Sequence, residues 1–206
     1  MGNALPFCTN RQFRLCRTPG VENMGIRTII DLRTPTEELN NYPQIQKGFN
    51  VVHIPIATGN MEKVLQGIQE GKIKGDTINR IVERMNRELV INYRDEYKKL
   101  FELLLDRNNY PAIIHCSSGK GRTGIASALV LATLGVNEDI IMQDYRLSND
   151  YFNIPKASKY AYKLPVNSQE AITTVYTAKE DFLNAAKEEI ERTYSDIPTY
   201  LRKGLG

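Results

Sequence analysis

Apolar residues recur along this chain in two rhythms. The segment Gly25-Ile26-Arg27-Thr28-Ile29-Ile30-Asp31-Leu32-Arg33 holds a short β-branched run with no helical period, the pattern of a buried strand. Asn50-Val51-Val52-His53-Ile54-Pro55-Ile56 predicts a second strand, and Pro111-Ala112-Ile113-Ile114-His115 a third. Between the first two, Thr34-Pro35-Thr36-Glu37-Glu38 predicts a turn and a helix start, with proline early and acids in the first turn. The other rhythm is helical. Ile78, Ile81, Val82, Met85, Leu89, Tyr93, Tyr97, Leu100, Phe101, Leu104 and Leu105 follow steps of three and four, one stripe of an amphipathic helix or a bent pair. Residues 123–134 are apolar enough for a buried helix that Gly135 would end, and further helices are predicted at 137–146 and 178–193.

Strands alternating with helices imply an α/β fold, its mostly parallel sheet covered on both faces. The glycine-dotted, polar stretch from Ala57 to Gly75 breaks the alternation. It predicts a mobile loop or short helix above the sheet, so 57–77 is the expected lid region. A length of 206 residues suits a single domain, 1–206, with a normal core.

Composition narrows the function classes. Net charge is +3, from 27 basic and 24 acidic side chains, too mild to argue for nucleic acid as a partner. Any preference for anions must come from local arrangement. The three cysteines, Cys8, Cys16 and Cys116, are too few and too uneven for a disulfide framework, and reduced thiols fit a cytoplasmic setting. No apolar run approaches the roughly 20 residues of a membrane span, and the start lacks the basic and apolar segments of a secretory signal. Export into a host by a route without such a signal stays open. His53, inside the second strand, reads as a structural histidine.

The chemistry concentrates in His115-Cys116-Ser117-Ser118-Gly119-Lys120-Gly121-Arg122-Thr123-Gly124. A thiol attacking a phosphate monoester must be ionised and must approach a dianion. Cys116 sits where a strand ends, and an apolar helix begins near Arg122. The connecting loop can curl so that the amides of residues 117 to 122 point at one centre, a nest backed by a helix N-terminus. The same field favours a thiolate, pulling the cysteine pKa below its free value of about 8.5. Gly119, Gly121 and Gly124 offer positive φ or close backbone approach. Arg122 presents a bidentate fork for phosphoryl oxygens. The Thr123 hydroxyl can donate to the sulfur as it leaves. Cys116 and Arg122 are therefore the expected catalytic pair, with Ser117, Ser118, Gly119, Lys120, Gly121 and Thr123 as phosphate-binding positions. Neither a metal nor an organic cofactor is expected. In an extended strand His115 points to the opposite face from Cys116, which suits bracing of the loop rather than proton transfer.

These residues resemble the His-Cys-x5-Arg-Thr/Ser signature of protein tyrosine and dual-specificity phosphatases. With Gly119-Lys120 the loop is similar to the bacterial tyrosine-phosphatase family, which includes a secreted mycobacterial and a listerial lipid-directed member, and also to the phosphatase-and-tensin-homologue lineage. Residues 25–33, Asp144-Tyr145-Arg146-Leu147-Ser148-Asn149 and the closing stretch 194–206 resemble the bacterial family. The resemblance implies a three-layer cysteine-phosphatase fold, with a mostly parallel central sheet flanked by helices. It implies a phosphocysteine intermediate and phosphotyrosine substrates, with phosphoserine, phosphothreonine and phosphoinositide esters in range. Lys120, a second cation at the loop, is either a solvated rim charge or a selector for such highly charged substrates.

The chain also departs from that pattern. Cleavage needs an acid to protonate the leaving oxygen. Related phosphatases place an aspartate soon after the strand matching 50–56, where this chain reads Ile56-Ala57-Thr58-Gly59-Asn60-Met61-Glu62. The bacterial family often has aspartate just before the loop arginine, where this chain has Gly121. Glu62 and Asp76 are the remaining local candidates, each with the rival reading of a solvated surface acid. A phosphate-binding module without turnover is the competing class, and a sulfurtransferase, disfavoured by Arg122-Thr123, is a third.

Overall fold

The computed structural model describes residues 4–6, 24–40, 49–152 and 163–206, without the side chains of 4–6, 39 and 40. Cys8 and Cys16 lie outside the described residues. Four parallel strands form the sheet, in the order β1-β4-β2-β3. They are β1 (Ala4–Pro6), β2 (Thr28–Asp31), β3 (Asn50–His53) and β4 (Ala112–His115). The β-branched runs of β2 and β4 are buried along their whole length, as strands covered by helices on both faces must be. β3 is an edge strand and is partly exposed.

Register positions the site. Thr28 pairs with Ala112 and Asp31 with His115, so Asp31 and His115 stand side by side at the carboxyl ends of two central strands. In open parallel sheets those ends are where ligands bind.

The described helices are α1 (Pro35–Asn40), α2 (Met61–Gln69), α3 (Gly75–Asn92), α4 (Arg94–Leu105), α5 (Gly121–Thr133), α6 (Glu138–Tyr151), α7 (Val166–Val175) and α8 (Glu180–Tyr194). The long apolar stripe resolves as the bent pair α3–α4. Tyr93, at φ −117° and ψ 34°, leaves helical geometry between them. Gly135 ends α5 with φ +75°, the left-handed cap its position predicts. α6 runs five residues beyond its expected end at Arg146.

Two apolar clusters hold these elements together. The larger joins Ile30, Leu32, Ile54, Ile56, Ile114 and Cys116 of the sheet region to Leu89 and Val90 of α3, Tyr97 and Leu100 of α4, and the inner faces of α5 and α8. The C-terminal turn closes it, where buried Tyr200 donates its hydroxyl to Val90 O at 2.7 Å. The smaller cluster consists of Ile68, Ile78, Val82, Ala171, Ile172 and Phe182. It ties α2 to α3, α7 and α8. The expected lid region therefore contains a packed helix, capped by Asn60, whose side chain accepts from Lys63 N at 3.0 Å.

α7 has no forecast in the sequence pattern. Ile172-Thr173-Thr174-Val175 favours a strand by local propensity, and burial of Ala171 and Ile172 in the smaller cluster overrides it. β1 is too short, and ends in a proline, to announce itself.

Candidate active site

β4 delivers His115 and Cys116 into the loop, and α5 begins at Gly121, so the strand-loop-helix arrangement is as the spacing predicts. Cys116 is 1% exposed. The Gly119 amide donates to its sulfur at 3.3 Å, and Gly119 turns the loop with φ +70°, a conformation that favours glycine. Among the described residues, the amides of Ser117, Ser118, Lys120, Gly121 and Arg122 donate to no backbone carbonyl. Amides without carbonyl acceptors at a helix start make an anion site. Burial opposes ionisation of the thiol. The Arg122 charge, the hydroxyl and amide of Thr123 and the Ser118 amide outweigh it, so the pKa lies below the ordinary cysteine value. The Thr123 hydroxyl is buried near the sulfur without completing a hydrogen bond in this state.

Arg122 is held by a partner that the sequence reading passed over. Its Nη1 donates to Glu37 Oε2 at 2.8 Å and its Nη2 to Glu37 Oε1 at 2.6 Å. Nη1 also reaches the carbonyls of Leu32 at 3.1 Å and Ile56 at 2.9 Å. Among the described residues the Nε–H donates to no acceptor, which leaves it available to a phosphoryl oxygen. Glu37 also accepts from the Ser117 hydroxyl. Burial pushes the Glu37 carboxyl up, but the hydrogen bonds and charge of Arg122 prevail and hold it at about 2. The signal in the sequence was Thr34-x-x-Glu37, a capping box. Glu37 Oε2 accepts from Thr34 N at 2.9 Å, and Glu37 N donates to Thr34 Oγ1 at 3.4 Å. The box that starts α1 thus places a carboxylate against the arginine of a loop 85 positions away.

Beneath the loop lies a second buried polar group. His115 Nε2 stands 3.2 Å from Asp31 Oδ1, and its Nδ1 lies 3.2 Å from Cys116 O. Asp31 is gripped from the other side by Arg33, whose Nη2 donates to Oδ2 at 2.6 Å and whose Nε donates to Oδ1 at 2.9 Å. Burial alone would raise the Asp31 pKa; the bonds from His115 and Arg33 hold it well below the carboxylate range. This geometry suits His115 as a brace. His53 is half-exposed and pairs with Glu38, Nδ1 to Oε1 at 2.7 Å.

Gly121, Gly124 and Lys120 depart from what the sequence predicts, whereas Gly119 does not. Gly121 has no positive φ, and a Cβ there would meet nothing closer than Asn86 Oδ1 at 3.5 Å. Gly124 is required by helix packing rather than by phosphate, since a Cβ would lie 2.7 Å from the Tyr145 ring. Lys120 is 4% exposed. Its Nζ donates to Ser148 O at 3.1 Å and sits 4.2 Å from the centroid of the Phe152 ring. Burial lowers its pKa to about 8. The amine is thus docked on the C-terminal end of α6. Glu62 and Asp76 are exposed, and neither bonds to the loop among the described residues.

Parallel strands carrying an ionisable thiol into an amide-lined, arginine-backed loop define a class of protein built to handle phosphate esters. Its lineage is equally clear. The chain belongs to the tyrosine phosphatase family, whose model matches residues 18–206. It is 24% identical over 191 residues to a candidate tyrosine-protein phosphatase of Cupriavidus necator, covering 90% of this chain and 67% of that protein. Over 106 residues it is 31% identical to the triple specificity protein phosphatase PtpB of Mycobacterium tuberculosis, covering 45% of this chain and 38% of the relative. A tyrosine-protein phosphatase of Nostoc commune is 23% identical over 128 residues, covering 62% of this chain and 42% of the relative. The chain thus spans about two thirds of the first and less than half of the other two.

Proposed function

We propose that the chain is a metal-free, cysteine-dependent phosphatase that hydrolyses phosphotyrosine monoesters through a phosphocysteine at Cys116. The observation that carries this reading is the buried thiol with a lowered pKa, ringed by amides that lack carbonyl acceptors and faced by Arg122. In the first step Cys116 Sγ attacks phosphorus, an S–P bond forms, and the P–O bond to the tyrosyl oxygen breaks. That oxygen keeps the electron pair and takes up a proton. Water then attacks phosphorus and releases inorganic phosphate, and the sulfur departs as thiolate. Arg122 Nε and the loop amides of residues 117 to 122 hold the equatorial oxygens in both steps. Thr123 Oγ1, buried near the sulfur, stabilises the departing thiolate.

Family membership implies phosphorylated substrates. Extension to phosphoserine and phosphothreonine rests on the likeness of the loop to dual-specificity phosphatases; extension to phosphoinositides rests on Lys120, which would have to leave Ser148 and Phe152 to meet a further phosphate. Among the described residues no helix is long and apolar enough to cross a membrane. The reading places the enzyme in the cytoplasm or, after export, in a host cell.

The test is Cys116→Ser assayed on p-nitrophenyl phosphate, with a rapid acid quench of wild type to trap phosphocysteine. Loss of turnover and a trapped S–P adduct are expected; turnover by the serine variant would overturn the mechanism. One observation favours a second reading, a phosphate-binding module with little catalysis: among the described residues the exposed candidate acids Glu62 and Asp76 make no hydrogen bond or ion pair to the loop. Tight binding of a phosphotyrosine peptide by wild type, with no phosphate released, would select it. Comparing Lys120→Ala with wild type on phosphotyrosine and phosphoinositide substrates tests the wider range. Unchanged relative rates would remove the lysine from substrate choice.

A further inference from the structure

Away from the loop, the described residues line a half-open cavity of about 520 Å³ between α5, α6, α8 and the C-terminal turn. Its wall is apolar, with Ile125 and Leu129 from α5, Met142 from α6, and Leu183 and Ile190 from α8. None of residues 116 to 123 lines it. The volume falls in the range of small-molecule sites.

Charge enters only where Glu138, Lys187 and Arg202 line the cavity, two cations to one carboxylate. The three are not equivalent. Lys187 is paired with Glu138 and stands 3.8 Å from Glu191, so its charge is already met. Arg202, exposed on the C-terminal turn, makes no hydrogen bond or ion pair among the described residues. Asp196 senses it only as a through-space charge. An apolar cavity with one uncommitted guanidinium matches a ligand with one alkyl chain and one planar anionic head. A carboxylate fits the guanidinium fork in two parallel hydrogen bonds, and the chain removes apolar wall from water.

We propose that this cavity binds a long-chain fatty acid, its alkyl chain among α5, α6 and α8 and its carboxylate on Arg202. The site is separate from the phosphate loop, so binding is independent of the nucleophile, and its failure would leave the phosphatase reading untouched.

The experiment titrates sodium palmitate, below its micelle concentration, into the delipidated full chain by calorimetry. One molecule is expected per chain. Hexadecanol, which has the chain without the charge, and Arg202→Glu should each weaken binding by about tenfold. Ala128→Phe, which projects a ring from α5 into the cavity, should abolish binding while the thermal melt stays cooperative. Cys116→Ser should bind as wild type does. Non-saturating uptake of several palmitates, or an affinity unchanged by both Arg202→Glu and Ala128→Phe, would overturn the proposal. Should the phenylalanine variant fail to fold, the exposed Arg202→Glu and the hexadecanol comparison still decide the matter.

Discussion

Replacing Glu37 by glutamine asks whether one carboxylate both starts a helix and steadies the arginine of the phosphate loop. Its carboxyl sits at about 2 against an ordinary 4.5. Each unit is worth about 1.4 kcal/mol, so ionised Glu37 contributes roughly 3 kcal/mol to folding at neutral pH. The folded-state pKa is depressed, so this contribution is complete above pH 4.5 and drains away as pH falls towards 2. Glutamine keeps one acceptor for the Thr34 amide but removes the charge facing Arg122, which is buried at 4% exposure. The variant should therefore lose about 2–3 kcal/mol at pH 7. Urea unfolding at a series of pH values from 7 to 3 measures the difference from wild type. That difference should hold steady from pH 7 to 5 and shrink below 4.5. A gap that is absent at pH 7, or that persists unchanged at pH 3, would refute the coupling between Glu37 ionisation and Arg122.

Three further outcomes follow from local geometry. Gly121→Asp should fold normally, because a Cβ there meets only ordinary contacts. Steady-state assays should show it raising kcat on alkyl phosphates more than on p-nitrophenyl phosphate, since the poorer leaving group gains more from a proton donor. Gly124→Ala forces a methyl to 2.7 Å from the Tyr145 ring, and urea unfolding should show a loss of about 1–3 kcal/mol. With the Lys120 amine at about 8, any preference for multiply phosphorylated substrates should fade as pH rises through 8 and the amine loses its charge; a kcat/KM ratio flat from pH 7 to 9 would disprove this.

Strands β2, β3 and β4 and the loop were legible because their signals are local. β2 and β4 are short β-branched runs, and the cysteine-to-arginine spacing is set by how a loop closes on one anion. Glu37 was visible only as a helix-start residue, since its bonds to Arg122 span 85 positions and depend on how β2 and β4 pair. Gly124 was credited to phosphate because sequence alone does not show that the Tyr145 ring lies against it. Lys120 could be placed beside the loop but not turned onto Phe152, because cation–ring contact is a matter of tertiary packing. α7 was hidden by strand-like propensity that burial reversed.

The smaller apolar cluster has a consequence for motion. Ile68 of α2 is buried with Ile172 of α7 and Phe182 of α8, elements that follow it by a hundred residues. Displacing α2 would therefore expose side chains from three other helices at once. This packing predicts that the segment after β3 opens together with α7 and the start of α8 rather than as an independent flap. Amides in α2 and α7 should accordingly exchange hydrogen with a shared free energy of opening, although a hundred residues of chain separate them.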